Sequence, residues 1–319
     1  MKKTYMQNSR IKTLVSEYSL ILVFILICVI CMLVTDFRFT KINNIMVILR
    51  NTSIIGMISL GMTYVIISGG IDLSSGPVLA ASGTVLIMIQ RSETMPVIVA
   101  ILACCAVAMV IGFVNGIIIT KAKLPPFIVT LAIGIIARSI AVYICSGATI
   151  RGRNVPEFTN IGNGSIGVFP IPFIIIVASV VLMGMLLHKS RFGSYVYAVG
   201  GNEKAAVYSG INADRIKIIT YMLAGLCVGV ASVIETSRMA AIAPSTSGHL
   251  YEFEAITAVI VGGTSLAGGR GRIIGTVIGF LILGVVTNMM LMMNISPYLN
   301  GALKGCVILI AVLLQKKNG

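Results

Sequence analysis

The sequence predicts an all-α fold, a polytopic bundle of transmembrane helices, and two observations carry that prediction. Of its 319 residues, 57% are hydrophobic and only 11% are charged. A soluble domain carries about 25% charged residues, so most side chains here cannot face water. The apolar residues also fall in long unbroken runs joined by short polar stretches. In lipid only helices and closed barrels satisfy the backbone, and a barrel would show alternating segments of about ten residues.

Taken in order, the first span is Tyr18–Val34, behind Lys2, Lys3, Arg10 and Lys12. It is long enough to cross a bilayer, and no small-residue cleavage site follows it, so it reads as a retained helix rather than a signal peptide. Thr52–Ser68 is the second span and runs into Gly69-Gly70-Ile71-Asp72-Leu73-Ser74. The third, Val78–Gln90, is short; the fourth is Pro96–Thr120 and the fifth Phe127–Cys145, opened by Pro125-Pro126. A loop rich in Gly, Asn and Pro, Ser146–Val168, leads to the sixth, Phe169–Leu187. The seventh is Ile218–Glu235, the eighth a short run at Ala255–Val261 extended upstream by Phe253 and Glu254, the ninth Ile273–Met293 and the tenth Tyr298–Leu314. This makes one membrane domain over 1–319, with six spans in 18–187, a polar segment in 188–217 and four spans in 218–315.

About ten spans place both termini on one side, and basic residues mark the cytoplasmic side. With the N-terminus inside, the inner segments hold Lys2, Lys3, Arg10, Lys12, Lys121, Lys123, Lys189, Arg191, Lys204, Arg215, Lys217, Arg270, Arg272, Lys316 and Lys317. The outer segments hold Arg38, Lys41, Arg50, Arg91, Arg151, Arg153 and Arg238. The net charge of +14 is therefore read as a topology signal, not a nucleic-acid patch, because no array of basic and aromatic residues accompanies it.

Between the sixth and seventh spans, Val196–Lys217 is the longest polar interruption of the second half. It carries a short helix signal: Asn202 as N-cap, Glu203 in the first turn, Ala205-Ala206-Val207-Tyr208 as body and Gly210 as stop. A second pattern is a partial repeat. Val65-Ile66-Ile67-Ser68-Gly69-Gly70 resembles Val259-Ile260-Val261-Gly262-Gly263, and a Leu-x-x-Gly stretch follows each. Transporters place glycine-rich breaks at matching depth in two halves; shared composition of glycine-rich joints would give the same likeness.

Few polar residues lie at membrane depth. Asp72 either holds a broken helix through backbone N–H groups or caps the third span. Arg138 lies well inside the fifth span and must face protein or water. Asn115, Glu235 and Asn288 complete the candidates for a polar pathway, with inter-helix hydrogen bonds the alternative for the asparagines and a membrane-edge anchor, near Arg238, the alternative for Glu235. His188 reads as a solvated edge residue, and His249, near Glu252 and Glu254, as part of an outer loop. Cys28 and Cys31 have CxxC spacing but sit within an apolar helix with no second pair, so no metal or redox site is expected. No phosphate-binding Gly-x-x-x-x-Gly-Lys-Ser/Thr loop and no catalytic Ser/His/Asp set occurs. The energy for transport is then expected from another subunit, and no catalytic residue is assigned.

Three stretches in order carry a family resemblance: Gly69-Gly70-Ile71-Asp72-Leu73-Ser74; Tyr197 to Ala206 with Ser209-Gly210-Ile211-Asn212; and Ala255 to Gly271. Together they resemble the permease subunits of bacterial ATP-binding-cassette (ABC) monosaccharide importers, the ribose-type members above all. The resemblance runs from the second span to the C-terminus. It implies a multi-pass protein of the bacterial inner membrane. It implies a homodimer or paired permease, a cytoplasmic ABC ATPase that binds ATP and Mg, and a periplasmic sugar-binding protein. No cofactor of this chain is implied. Gly200, Gly201, Asn202, Glu203, Lys204, Tyr208 and Gly210 then stand in the segment that couples to the ATPase. Gly69, Gly70, Asp72, Asn115, Arg138, Glu235 and Asn288 are the candidates for translocation or gating. Ser75-Gly76-Pro77 departs from the Val-Gly-Ser of many relatives, and Arg151 and Arg153 add charge where the binding protein would dock. An autoinducer importer, another sugar importer and a stand-alone secondary carrier remain as alternatives.

Overall fold

The structure is a computed structural model that describes residues 20–92 and 94–295, together with Leu299 and Gly305. Its first helix is α1 (Leu20–Val34). A 3₁₀ turn, Arg38–Thr40, leads into α2 (Ile42–Ile67), followed by α3 (Ser75–Gln90), α4 (Val97–Lys121) and α5 (Pro126–Ile144). The connection after α5 holds β1 (Ile150–Arg151), α6 (Pro156–Asn163), β2 (Ser165–Ile166) and β3 (Phe169–Pro170). Then come α7 (Ile171–Lys189), α8 (Arg191–Gly201), α9 (Glu203–Tyr208), α10 (Ala213–Met239), β4 (Ala241–Ile242), α11 (Tyr251–Val261) and α12 (Ile273–Met292). Six of these helices are long and apolar enough to span a membrane: α2, α4, α5, α7, α10 and α12. The tenth expected span, Tyr298–Leu314, lies outside the described residues apart from Leu299 and Gly305.

The helices that match expected spans keep their order, and their ends move for identifiable reasons. α2 begins at Ile42, not Thr52, because its polar first turns find partners. Asn44 and Asn288 exchange amide hydrogen bonds of 2.9 and 3.1 Å, Arg50 donates to the Asn163 carbonyl, and Asn51 accepts from Arg238. α10 starts at Ala213 because the Asn212 side chain caps it through Arg215 N–H. Helix α8 was not expected; Ser190 turns the corner from α7 and caps it, accepting from Gly193 N–H at 3.1 Å.

α2 and α10 form the core pair, and α4 crosses α10 closely. Small residues permit these approaches. A side chain at Gly61 would come within 2.7 Å of Ala224 Cα, one at Gly229 within 2.8 Å of Cys105 Cα, and one at Gly116 within 2.7 Å of Ile218 Cα. α4, α5 and α7 turn apolar side chains such as Leu102, Ile135 and Leu182 outward, as a lipid-facing surface requires.

The two ends of the bundle are distinct. At one end β1 pairs antiparallel with β4 (Ile150 with Ile242, Arg151 with Ala241), and Gln90 binds the Arg153 backbone. At the other end lie α8, α9, the α4–α5 turn and the starts of α10 and α12. Among the described residues, Lys121, Lys204, Arg215 and Lys217 of the expected inner set lie at this second end, and Arg50, Arg151, Arg153 and Arg238 of the expected outer set lie at the first.

Candidate functional site

The short helix α9 is built as its sequence dictates. Asn202 accepts from Ala205 N–H at 3.0 Å at the start. The end is a Schellman turn, in which Gly210 N–H reaches Val207 O at 2.9 Å and Ile211 N–H reaches Ala206 O at 3.0 Å. Gly210 has φ +82°, the left-handed conformation that this turn needs. Ala206 anchors the helix in the core, while Val207 and Tyr208 point outward; Tyr208 is 90% exposed. An aromatic ring so exposed on a rigid, capped helix is suited to a partner's groove. Glu203 is engaged within the chain by Lys217, 2.6 Å away. Beside α9 lies a cavity of about 410 Å³ whose walls include Gly69, Thr120, Lys123, Glu203, Asp214 and Lys217.

The repeat seen in the sequence is a repeat in structure at its core. After α2, Gly70 N–H reaches Val65 O (2.9 Å) and Gly69 N–H reaches Ile66 O (3.0 Å). After α11, Thr264 N–H reaches Val259 O (3.1 Å) and Gly263 N–H reaches Ile260 O (2.9 Å). Gly69 and Gly263 have φ of +84° and +86°. Two helices therefore stop in the same Schellman geometry.

The stretch from Ser68 to Ser74 frees backbone groups inside an apolar bundle, where each unsatisfied group is costly. Side chains from two helices and from the stretch itself satisfy them. Tyr221 of α10 donates to Ile71 O at 3.2 Å, and Thr130 of α5 accepts from Leu73 N–H at 3.0 Å. The Asp72 carboxyl accepts from Ser74 N–H at 2.8 Å, from the Ser74 hydroxyl at 2.5 Å and from the Ser75 hydroxyl at 3.3 Å. Asn115 of α4 donates to the Ser74 hydroxyl at 2.9 Å. Asp72 thus holds the break and leads into α3 at once. Thr130, Ser74 and Tyr221 were not singled out in the sequence. Their one signal there is a hydroxyl group at membrane depth in an otherwise apolar run.

A second irregular stretch, residues 243–250, contains His249, which was expected in an outer loop. It turns back along α3, so that Gly248 packs on Gly76 in the first turn of that helix. Only a residue without a side chain fits at Gly76, between the Gly248 carbonyl and the Glu252 carboxyl. Arg138 of α5 clamps this strap, donating to Pro244 O at 2.7 Å and Ser247 O at 3.0 Å. His249, at its end, is exposed. Glu235 is buried facing Ser247 and Tyr251. The two irregular stretches therefore meet, and Gly69, Gly70, Asp72, Asn115, Arg138 and Glu235 all lie on or against them. Asn288 stands apart, paired with Asn44 between α12 and α2. His188, exposed at the end of α7, stacks on Tyr197 with ring centroids 6.4 Å apart.

The chemistry that these side chains offer is hydrogen bonding. Asn115 Oδ1 is a buried acceptor without a hydrogen-bond partner among the described residues. Among the described residues no three His, Cys, Asp or Glu side chains are grouped to hold a metal ion.

Residues 44–312 match the sequence family described as branched-chain amino acid transport system / permease component. The chain belongs to this permease family. It is 44% identical to the ribose import permease protein of Bacillus subtilis over 276 residues, covering 86% of this chain and 85% of the relative. It is 40% identical to the ribose import permease protein of Escherichia coli K12, covering 96% and 95%, and 35% identical to the L-arabinose transport system permease protein of the same strain, covering 94% and 90%. No solved structure matches the chain. This permease is a helical, multi-pass membrane protein, and its relatives are transport subunits rather than enzymes.

Proposed function

We propose that this permease is the membrane subunit of an ABC importer that carries a monosaccharide of the ribose type across the bacterial inner membrane. The observation that carries the reading is the match over nearly the whole chain to two ribose import permeases at 40% and 44% identity. The family description speaks of branched-chain amino acids, but those relatives, and an arabinose permease at 35%, are named for pentoses. A neutral, hydroxyl-rich cargo also suits a bundle whose breaks are lined by hydroxyl, amide and carboxyl groups.

In this reading the motor is a separate cytoplasmic ATPase that hydrolyses ATP with Mg, and a periplasmic binding protein delivers the sugar. Two permeases enclose one path. Ten spans with both termini in the cytoplasm fit the division of charge among the described residues, nine basic residues of the inner set against seven of the outer set. The exposed face of α9 docks on the ATPase, and closure of the ATPase moves α8 and α9 as a rigid unit.

The test is assembly. Tagged permease expressed with the ATPase and binding protein encoded beside it is expected to co-purify with the ATPase, and its hydrolysis is expected to rise when the binding protein carries ribose. Failure to retain the ATPase, or stimulation by leucine and not by a pentose, contradicts the reading.

A further inference from the structure

The end of α8, the turn after α2 and the loop between α11 and α12 meet backbone on backbone. At Gly200 a side chain would overlap the Ile67 carbonyl oxygen and would come within 2.8 Å of Gly269 N. That carbonyl accepts from Gly269 N–H at 2.9 Å. A side chain at Gly268 would lie 2.7 Å from Gly200 O and 3.2 Å from Gly69 Cα, and one at Gly269 would lie 2.7 Å from Gly201 Cα. Tyr197, one turn earlier on α8, donates its hydroxyl to Gly271 O at 2.6 Å. Three segments distant in sequence are thus locked within one small volume. Neighbouring Gly201 differs: its own missing side chain would meet nothing within 4 Å.

We infer that Gly200 is a positioning residue of transport, the point at which movement of α9 is passed simultaneously to both broken stretches of the bundle. A contact between flexible side chains would absorb a small displacement by rotamer changes. A close-packed backbone junction has no such slack, so it transmits the displacement. Ile67 and Gly69 lead directly into the Ser68–Ser74 break, and Gly268–Gly271 lead from the second Schellman turn into α12. The inference rests on the proposed coupling role of α9. It adds that the glycine pair acts through contact, at Gly200, and not as a flexible hinge, which would use both glycines alike.

The experiment uses the complete complex in proteoliposomes, with sugar imported per ATP hydrolysed as the readout. Gly200→Ala is expected to retain the ATPase and to hydrolyse ATP, while sugar per ATP falls at least tenfold. Gly201→Ala gains the same helix propensity without entering the junction, and is expected to keep a ratio at least fivefold above that of Gly200→Ala. Tyr197→Phe removes one hydrogen bond at constant packing and is expected to lower the ratio about threefold, in keeping with one bond of ~0.5–1.5 kcal/mol. Equal loss in the two glycine variants overturns the inference in favour of a hinge, and normal coupling in an assembled Gly200→Ala complex overturns it outright. If Gly200→Ala fails to assemble, Tyr197→Phe decides, and an unchanged ratio counts against the junction. Tyr208→Ala separates the two levels: if it leaves ATPase binding and coupling intact, the role proposed for α9 is wrong, whereas loss there with normal Gly200→Ala and Tyr197→Phe coupling removes only the junction.

Discussion

Replacing Asp72 by alanine should open the break after α2, and the geometry sets the size of the effect. Asp72 is 4% exposed, so water cannot take over its bonds. Its carboxyl accepts from Ser74 N–H at 2.8 Å and from the Ser74 and Ser75 hydroxyls at 2.5 and 3.3 Å. The backbone N–H is the costly orphan, at ~1–3 kcal/mol. The hydroxyls can rotate, so each lost bond adds only about 0.5–1 kcal/mol. The sum is a destabilisation of about 2–5 kcal/mol for Asp72→Ala. Asp72→Asn keeps one carbonyl oxygen in place for Ser74 and should cost about 1 kcal/mol or less. The assay is equilibrium unfolding in mixed micelles, titrated with SDS and followed by helix signal, with sugar uptake measured in parallel. An alanine variant within about 1 kcal/mol of the parent, or an asparagine variant as damaged as alanine, would refute the account of Asp72 as the acceptor that closes the break.

Other substitutions probe the remaining parts. Tyr208→Ala should change stability by less than ~0.5 kcal/mol, because the ring is on the surface, yet lose most ATPase retention in a pull-down; Ala206→Leu on the buried face of the same helix should instead cost ~1–3 kcal/mol by overpacking. Arg138→Ala strips the clamp from Pro244 and Ser247 and should lower stability by ~1.5–3 kcal/mol in the same SDS titration; both bonds leave one guanidinium nitrogen, so Arg138→Lys, whose ammonium carries three donors, should recover part of the loss. Asn44→Ala and Asn288→Ala should each cost about 1 kcal/mol and show coupling in a double-mutant cycle, with uptake unchanged if the pair only joins α2 to α12.

What the sequence could show follows the range of the forces involved. α9 was legible because its signals are local: Asn202 caps within three residues and Gly210 closes the last turn. The likeness of residues 65–69 to 259–263 was legible for the same reason, since a Schellman turn is a six-residue device. The satisfiers of the break's backbone were not, because Thr130 and Tyr221 come from two other helices and no local pattern announces which backbone group each will meet; Asn115 was singled out, but not its partner, the Ser74 hydroxyl. α2 reached further than hydropathy suggested, since Asn44, Arg50 and Asn51 are satisfied by residues more than 100 positions away. The course of residues 243–250 along α3 was not legible, because contacts distant in sequence hold it there, the Arg138 hydrogen bonds and the Gly76–Gly248 approach.

The central claim is that this chain forms a path and supplies no drive. Uptake of labelled ribose into proteoliposomes tests it most directly, comparing permease alone with permease plus ATPase, loaded binding protein and internal or external ATP as orientation requires. The account predicts accumulation against a gradient only in the complete system, abolished when ATP is replaced by a non-hydrolysable analogue. Saturable, carrier-like ribose movement by the permease alone would contradict it.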